Sequence, residues 1–242
     1  MKTLDYGIVT IHGFTGYPEE MEPLGKFMEE NGLYWKNVLL PGHAKNPEEL
    51  REYRWSDWAN KVMEEIEEAK QNVEKGIFVA GLSLGGLLTL YSLIHDKTIL
   101  GGITLAAPIR VFKWYHDVLS MFPIGFWVKN QGDPETSLND PQFRDIHRAY
   151  EYFHSDNAKD VNNLAKHVRK RLQKIEAPIL IVHSKYDKLV EVSNAYEIFE
   201  KTRSKHKYLF LVNRSSHVLT RDYDREIIFS TALNFINEVN KR

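Results

Sequence analysis

The stretch Gly76-Ile77-Phe78-Val79-Ala80-Gly81-Leu82-Ser83-Leu84-Gly85-Gly86 decides how this sequence folds. Its first half is a short apolar run of the kind that forms a buried strand. Its second half is the pattern G-x-S-x-G, and the residues from Leu84 to His95 have helical length. A tight turn from strand to helix needs small residues on both sides of the serine, because the serine backbone is strained and the flanking elements pack closely. Such a turn lifts the Ser83 hydroxyl out of the top edge of a sheet and sets it at a helix N-terminus. Taken alone, the same pentapeptide is also a glycine-rich turn whose serine caps a helix. Its partners decide between the two.

Working outward, apolar runs alternate with amphipathic ones. Gly7 to Ile11 and Tyr34 to Leu40 precede the central stretch, and Ile99 to Leu105, Ile179 to Val182 and Tyr208 to Val212 follow it. Between them lie helical patterns: one opened by Pro18 and two glutamates, one with Ser56 as the expected N-cap, and one closing the chain around Ile227 to Val239. Strands alternating with helices imply βαβ crossovers, hence an α/β fold whose mostly parallel sheet carries helices on both faces.

Composition narrows the class. The chain has 242 residues, 43% hydrophobic and 27% charged, which is ordinary for a globular protein. Lys and Arg total 32 against 33 Asp and Glu, so no net field recruits nucleic acid or an anionic membrane. There is no cysteine, which excludes disulfides, thiolate metal sites and a cysteine nucleophile. No apolar run approaches the ~20 residues of a membrane span, and Met1 to His12 lack the pattern of a signal peptide. The expectation is a soluble, cytoplasmic protein. No metal-binding or nucleotide motif is present, so no cofactor and no metal is expected.

One segment breaks the rhythm. No strand-like run occurs between Pro108 and Pro178, a length too great for an ordinary connection. It opens with Phe112, Trp114, Tyr115, Phe122, Phe126 and Trp127, passes through a polar stretch from Gln131 to Pro141, and then turns helical. The expectation is a helical insertion over residues 110–175, lying as a lid over the carboxyl edge of the sheet. Its aromatics suit either an apolar substrate pocket or a small core of the insertion itself.

A serine hydroxyl needs a base within hydrogen-bond reach. His217 follows the last strand and Asp187 follows the strand before it, so both fall at the sheet edge where Ser83 stands. Asp187 would hold the imidazole in the required tautomer and stabilise its charged form. The order serine, acid, histidine, each just beyond a strand, makes Ser83, Asp187 and His217 the expected catalytic set. The loop His12-Gly13-Phe14-Thr15-Gly16 leaves the first strand. Its glycines let a backbone N–H face the cleft, so Phe14 and Leu84 are the expected oxyanion donors. His12 is read as structural, tying this loop down.

These residues, with Pro41-Gly42-His43, resemble the small bacterial carboxylesterases and monoacylglycerol lipases of the α/β-hydrolase superfamily. The resemblance implies the α/β-hydrolase fold, with residues 1–109 and 176–242 as its core and 110–175 as a small helical cap inserted after the sixth strand. It implies the same five site residues. Two departures are visible: the first strands of the full fold are missing or abbreviated, and Ala44 stands where relatives often carry glycine. The implied activity is a serine carboxylesterase acting on short- to medium-chain esters, its substrate a small molecule with an apolar acyl or alcohol part. The alternatives are a monoacylglycerol lipase, another serine hydrolase (thioesterase, amidase or acyltransferase), and a ligand-binding protein without turnover.

Overall fold

The computed structural model describes residues 4–110 and 125–241. The chain opens with β1 (Leu4–Ile11), α1 (Glu22–Glu30), β2 (Tyr34–Val38), α2 (Pro47–Leu50) and α3 (Trp55–Lys70). The central stretch forms β3 (Val73–Leu82) and α4 (Leu84–His95), followed by β4 (Gly101–Leu105). Next come β5 (Trp127–Lys129), α5 (Pro134–Ser137), α6 (Pro141–Arg144), β6 (Tyr152–His154) and α7 (Ser155–Arg169). The chain ends with β7 (Ile179–Ser184), α8 (Ser193–Lys201), β8 (Lys207–Val212) and α9 (Arg225–Asn240).

One sheet has six strands in the order β2-β1-β3-β4-β7-β8, every neighbouring pair parallel. Alternate side chains of each strand serve different cores. Ile77 and Val79 of β3, with Ile179 and Ile181 of β7, join α3, α4 and α7 on one face. Phe78 and Ala80, with Leu180 and Val182, join α1 and α9 on the other. Both faces are therefore apolar, as a parallel sheet covered by crossover helices requires.

Helix α4 is buried nearly all round, with Leu84, Leu87, Leu88, Leu90 and Leu93 inaccessible to solvent. Each such leucine contributes about 1.5–3 kcal/mol over an exposed one. This makes α4 a rigid seat for the residue that precedes it. Helix α3 starts one residue before Ser56, so Arg54 and not the serine holds the N-cap position, and the Asp57 carboxylate at N3 accepts from the Arg54 N–H (2.7 Å).

The insertion departs from its expected form in three ways. It follows β4, the fourth strand here; the family count of six includes strands that this sheet lacks among the described residues. It is not purely helical, since β5 and β6 pair antiparallel, Val128 opposite Phe153. Runs of three residues are too short to show alternation in a sequence. Lastly, α7 packs into the main core through Val161, Leu164, Ala165 and Val168, continued by Leu172 and Ile175. The core packing thus resumes well before residue 176. Of the aromatic cluster, Phe112, Trp114, Tyr115 and Phe122 lie outside the described residues, while Phe126 and Trp127 are exposed.

Candidate active site

Ser83 sits between β3 and α4 with φ +54° and ψ −113°, a conformation costing an L-residue roughly 1–3 kcal/mol. Its neighbours over-determine it. The Ser83 N–H donates to Leu105 O (2.8 Å), and its carbonyl accepts from Leu87 N to start the helix. A Cβ at Gly81 would run into the Gly85 backbone, and one at Gly85 into the Ile11 carbonyl. These two glycines are therefore required by close backbone approach, which forces the serine outward.

His217 and Asp187 meet: His217 Nδ1 lies 2.8 Å from Asp187 Oδ2. Asp187 Oδ1 accepts from the N–H groups of Leu189 (2.8 Å) and Val190 (2.9 Å), so the carboxylate is held on both oxygens. Burial by itself would raise the Asp187 carboxyl. The His217 charge and hydrogen bond outweigh it, with the Val190 N–H and His183, and hold the group below the ordinary carboxylate range. An ionised Asp187 accepts, so Nδ1 of His217 carries the proton and Nε2 keeps its lone pair. For His217 burial acts downward, but the charge and hydrogen bond of Asp187 and the charge of Glu20 prevail and raise it.

The loop leaving β1 is held by His12. Leu40 N donates to His12 Nε2 (3.2 Å), which leaves Nδ1–H to donate to Gly13 O (2.8 Å). Burial lowers the His12 imidazole to about 4, so it is neutral and this tautomer holds. Pulling the Gly13 carbonyl toward His12 turns the N–H of the same peptide, that of Phe14, the other way. The Phe14 ring is anchored against Trp58 (6.1 Å between centroids) and Phe153 (5.1 Å). Leu84 N–H lies in the first turn of α4, where no intrahelical acceptor exists.

Ser83, Asp187, His217, Phe14 and Leu84 all line one cavity of about 990 Å³. Ser83 and His217 share this cavity without a hydrogen bond between them among the described residues. Toward the insertion the wall is mixed: Phe126, Val128, Phe153 and Val161 supply its apolar part, and Lys129, Asn130, His147 and Lys159 are among its polar groups. Among the described residues no group of three or more His, Asp or Glu side chains is placed to hold a metal ion. No described helix is long and apolar enough to cross a membrane.

Residues 4–224 match the family model described as serine aminopeptidase, S33. The chain belongs to this family of α/β-hydrolases. A thermostable monoacylglycerol lipase of Bacillus sp. (strain H-257) is 30% identical over 229 residues, covering 95% of this chain and 89% of its own length. A carboxylesterase of Bacillus subtilis (strain 168) is 26% identical over 239 residues, covering 98% and 94%. A solved structure from work on LipS and LipT, two metagenome-derived lipolytic enzymes, superposes with a TM-score of 0.91 at 24% identity, covering 98% of this chain and 95% of that one.

Several residues that organise the cleft of this S33-family hydrolase carry no sequence signal. Asn130 Nδ2 donates to Thr15 Oγ1 (2.8 Å) and to Tyr150 O (2.9 Å), and Tyr150 N donates to Thr15 O (3.1 Å). The Tyr150 hydroxyl donates to Gly42 O (2.9 Å). On the other side Ser137 O accepts from the N–H groups of His217 and Val218, and Asp222 accepts from Ser216 N, Asn139 N and Asp140 N. The insertion thus clasps both the loop at Phe14 and the loop at His217. Glu20 was legible only as one of two glutamates opening a helix. It is instead buried in the cavity wall, its Oε2 accepting from Gly13 N (3.0 Å). The departure at Ala44 has a backbone consequence: its φ is +58°, the region that favours the glycine of relatives.

Proposed function

We propose that this hydrolase is a serine carboxylesterase, with Ser83 as nucleophile, His217 as base, Asp187 as its acid partner, and the N–H groups of Phe14 and Leu84 as oxyanion donors. The observation that carries the reading is the 2.8 Å pairing of Asp187 with His217 Nδ1 in the cavity where Ser83 stands on its strained turn. Nε2 takes the Ser83 proton as Oγ attacks the ester carbonyl, and the oxyanion settles on the two N–H groups. Collapse expels the alcohol, which takes the proton from Nε2. Water, activated by the same nitrogen, then releases the acid from Ser83. An ionised Asp187 beside Nδ1 stabilises the imidazolium in both halves of the cycle.

The substrate is a small ester with an apolar acyl or alcohol part, received by the wall of Phe126, Val128, Phe153 and Val161. Residues 125–154 act as the cap over this cleft. A second reading, a monoacylglycerol lipase, is favoured by the 30% identity to the Bacillus enzyme of that name.

Ser83→Ala tests the chemistry. Hydrolysis of p-nitrophenyl butyrate should fall by at least ~10³-fold with an unchanged far-UV circular dichroism spectrum. Retained turnover removes Ser83 as nucleophile. A profile over acyl length separates the two readings: a short-chain maximum supports the esterase, a maximum on long monoacylglycerols the lipase.

A further inference from the structure

The hydrolytic cycle above leaves Glu20 without a task, although its carboxyl is buried beside the reacting groups. Glu20 is 5% exposed and lines the cavity with Ser83 and His217. Withdrawing a carboxyl from water costs several kcal/mol unless the site compensates it. The hydrogen bond it receives here comes from Gly13 N, in the loop whose next residue is Phe14. Gly16 closes the same loop, and any side chain there would be driven into the Glu20 carboxyl. The loop and the carboxyl are thus fitted to one another.

The turn that carries Glu20 is also tied to the loop of the base. Thr220 Oγ1 donates to Glu20 O (2.5 Å), and Arg221 Nη2 donates to Glu19 O (2.6 Å). Glu20 therefore stands where the oxyanion loop and the His217 loop meet. Burial raises its carboxyl to about 7; the Gly13 N–H, His217 and Arg221 oppose this, and Glu19 adds to it. His183 faces His217 from the end of β7, Asp187 from the loop after it and His147 from the insertion, but only Asp187 and Glu20 push the imidazole upward. A purely structural link to Gly13 N–H needs no titratable acid, since a serine or asparagine would serve.

Building on the carboxylesterase reading, we propose that Glu20 is a positioning residue of the reaction. Its carboxylate holds the Gly13 amide, and with it the Phe14 N–H, at the oxyanion, and it sets a second negative charge beside His217. The clamp works with His12: one holds the N–H of Gly13, the other its carbonyl, so both peptides flanking Gly13 are fixed. The charge favours the imidazolium that forms as Ser83 is deprotonated.

Kinetics of Glu20→Ala and Glu20→Gln on p-nitrophenyl butyrate across pH test this. Glu20→Ala should lower kcat roughly 10- to 100-fold with KM within about 3-fold, as expected for a displaced donor. Glu20→Gln keeps the shape and an acceptor for Gly13 N–H, so its kcat at pH 8 should return to within about 5-fold of wild type. Its acid limb in kcat/KM should move down by about 0.5 pH unit or more, because His217 has lost a negative neighbour. Equal losses in both variants, or an unmoved limb in Glu20→Gln, overturn the proposal. If Glu20→Ala fails to fold, the pH profile of Glu20→Gln decides alone. Wild type and Ser83→Ala are run alongside with fluorophosphonate labelling. A wild type that neither turns over nor labels condemns the esterase reading, whereas an active wild type matched by both Glu20 variants condemns only the role of Glu20.

Discussion

The elbow at residues 76–95 and the part of the insertion at residues 125–154, proposed above as a cap, wall the same cleft, yet they are built by different physics. The elbow is made by backbones in contact: Gly81 against Gly85, Gly85 against the Ile11 carbonyl, and α4 sealed in apolar side chains. The cap has apolar anchors in Leu138, Tyr150 and Phe153, but its register is set by polar bonds between segments far apart in the chain, Asn130 to Thr15, Tyr150 to Gly42 and His217 to Ser137. Strain at Ser83 can persist only where close packing over-determines the backbone. A cover needs only enough bonds to hold two loops in register, and each of those bonds is worth about 1 kcal/mol.

The sharpest way to break this contrast is Gly85→Ala. The new Cβ would overlap the Ile11 and His12 carbonyl oxygens, which belong to β1 and its exit and have no flexible end to yield. Stability should fall by about 4 kcal/mol, at the top of the range for single substitutions, and esterase activity should be lost with it. Urea midpoints measure the first. A variant within ~1 kcal/mol of wild type would mean that the elbow is not packed as tightly as the contrast requires.

The same contrast explains what a reader of the sequence can see. The strands of the main sheet were legible because apolar runs bounded by glycine and proline repeat at regular intervals. Ser83, Asp187 and His217 were legible as candidates because each closes such a run. The pair β5 and β6 was not, since three residues carry no period. The amphipathic pattern from Leu164 to Ile175 says that a face is buried, not against what, so its packing on the main core is visible only in the structure. The N-cap falls on Arg54, two residues before Ser56, with Asp57 reaching back to its N–H, a choice between neighbours that only geometry resolves. Glu20 reaches Gly13 across a turn with no periodic signature, so its burial had no local sign.

His12 stands where the two regions meet, and its titration sharpens the comparison at the next scale down. Burial lowers it to about 4 from an ordinary 6.5. Between those values the unfolded chain binds a proton that the folded one refuses, so stability present above pH 6.5 is lost as the pH falls toward 4, by about 3 kcal/mol. Buried His43 acts in the same direction, its imidazole also lowered by burial and by His12. Glu20, raised to about 7, acts oppositely, gaining a proton on folding over the same interval. Urea midpoints at pH 7.5 and 5 should therefore drop in wild type, drop less in His12→Asn, and drop more in Glu20→Gln. Identical pH dependence in wild type and His12→Asn would show that the loop does not bury its imidazole.

The smallest expected change in stability falls on the cap, and there stability and activity should part company. Asn130→Ala removes the bonds to Thr15 Oγ1 and Tyr150 O and the acceptance from Gly132 N (3.0 Å). The site is only partly buried, so water replaces much of what is lost and the cost should be about 1 kcal/mol. Thr15, however, follows Phe14, and its φ of +60° is held in place by these contacts from the cap. If the Phe14 N–H is an oxyanion donor as proposed, loosening Thr15 should displace it and lower kcat about 10-fold, since a donor shifted by a fraction of an ångström stabilises the oxyanion poorly. Asn130→Asp, which keeps the size but loses the Nδ2 donor, should behave like the alanine variant. Unchanged kcat in both, at the same small cost in stability, would make the insertion a passive cover and leave the Phe14 loop to be held by His12 and Glu20 alone.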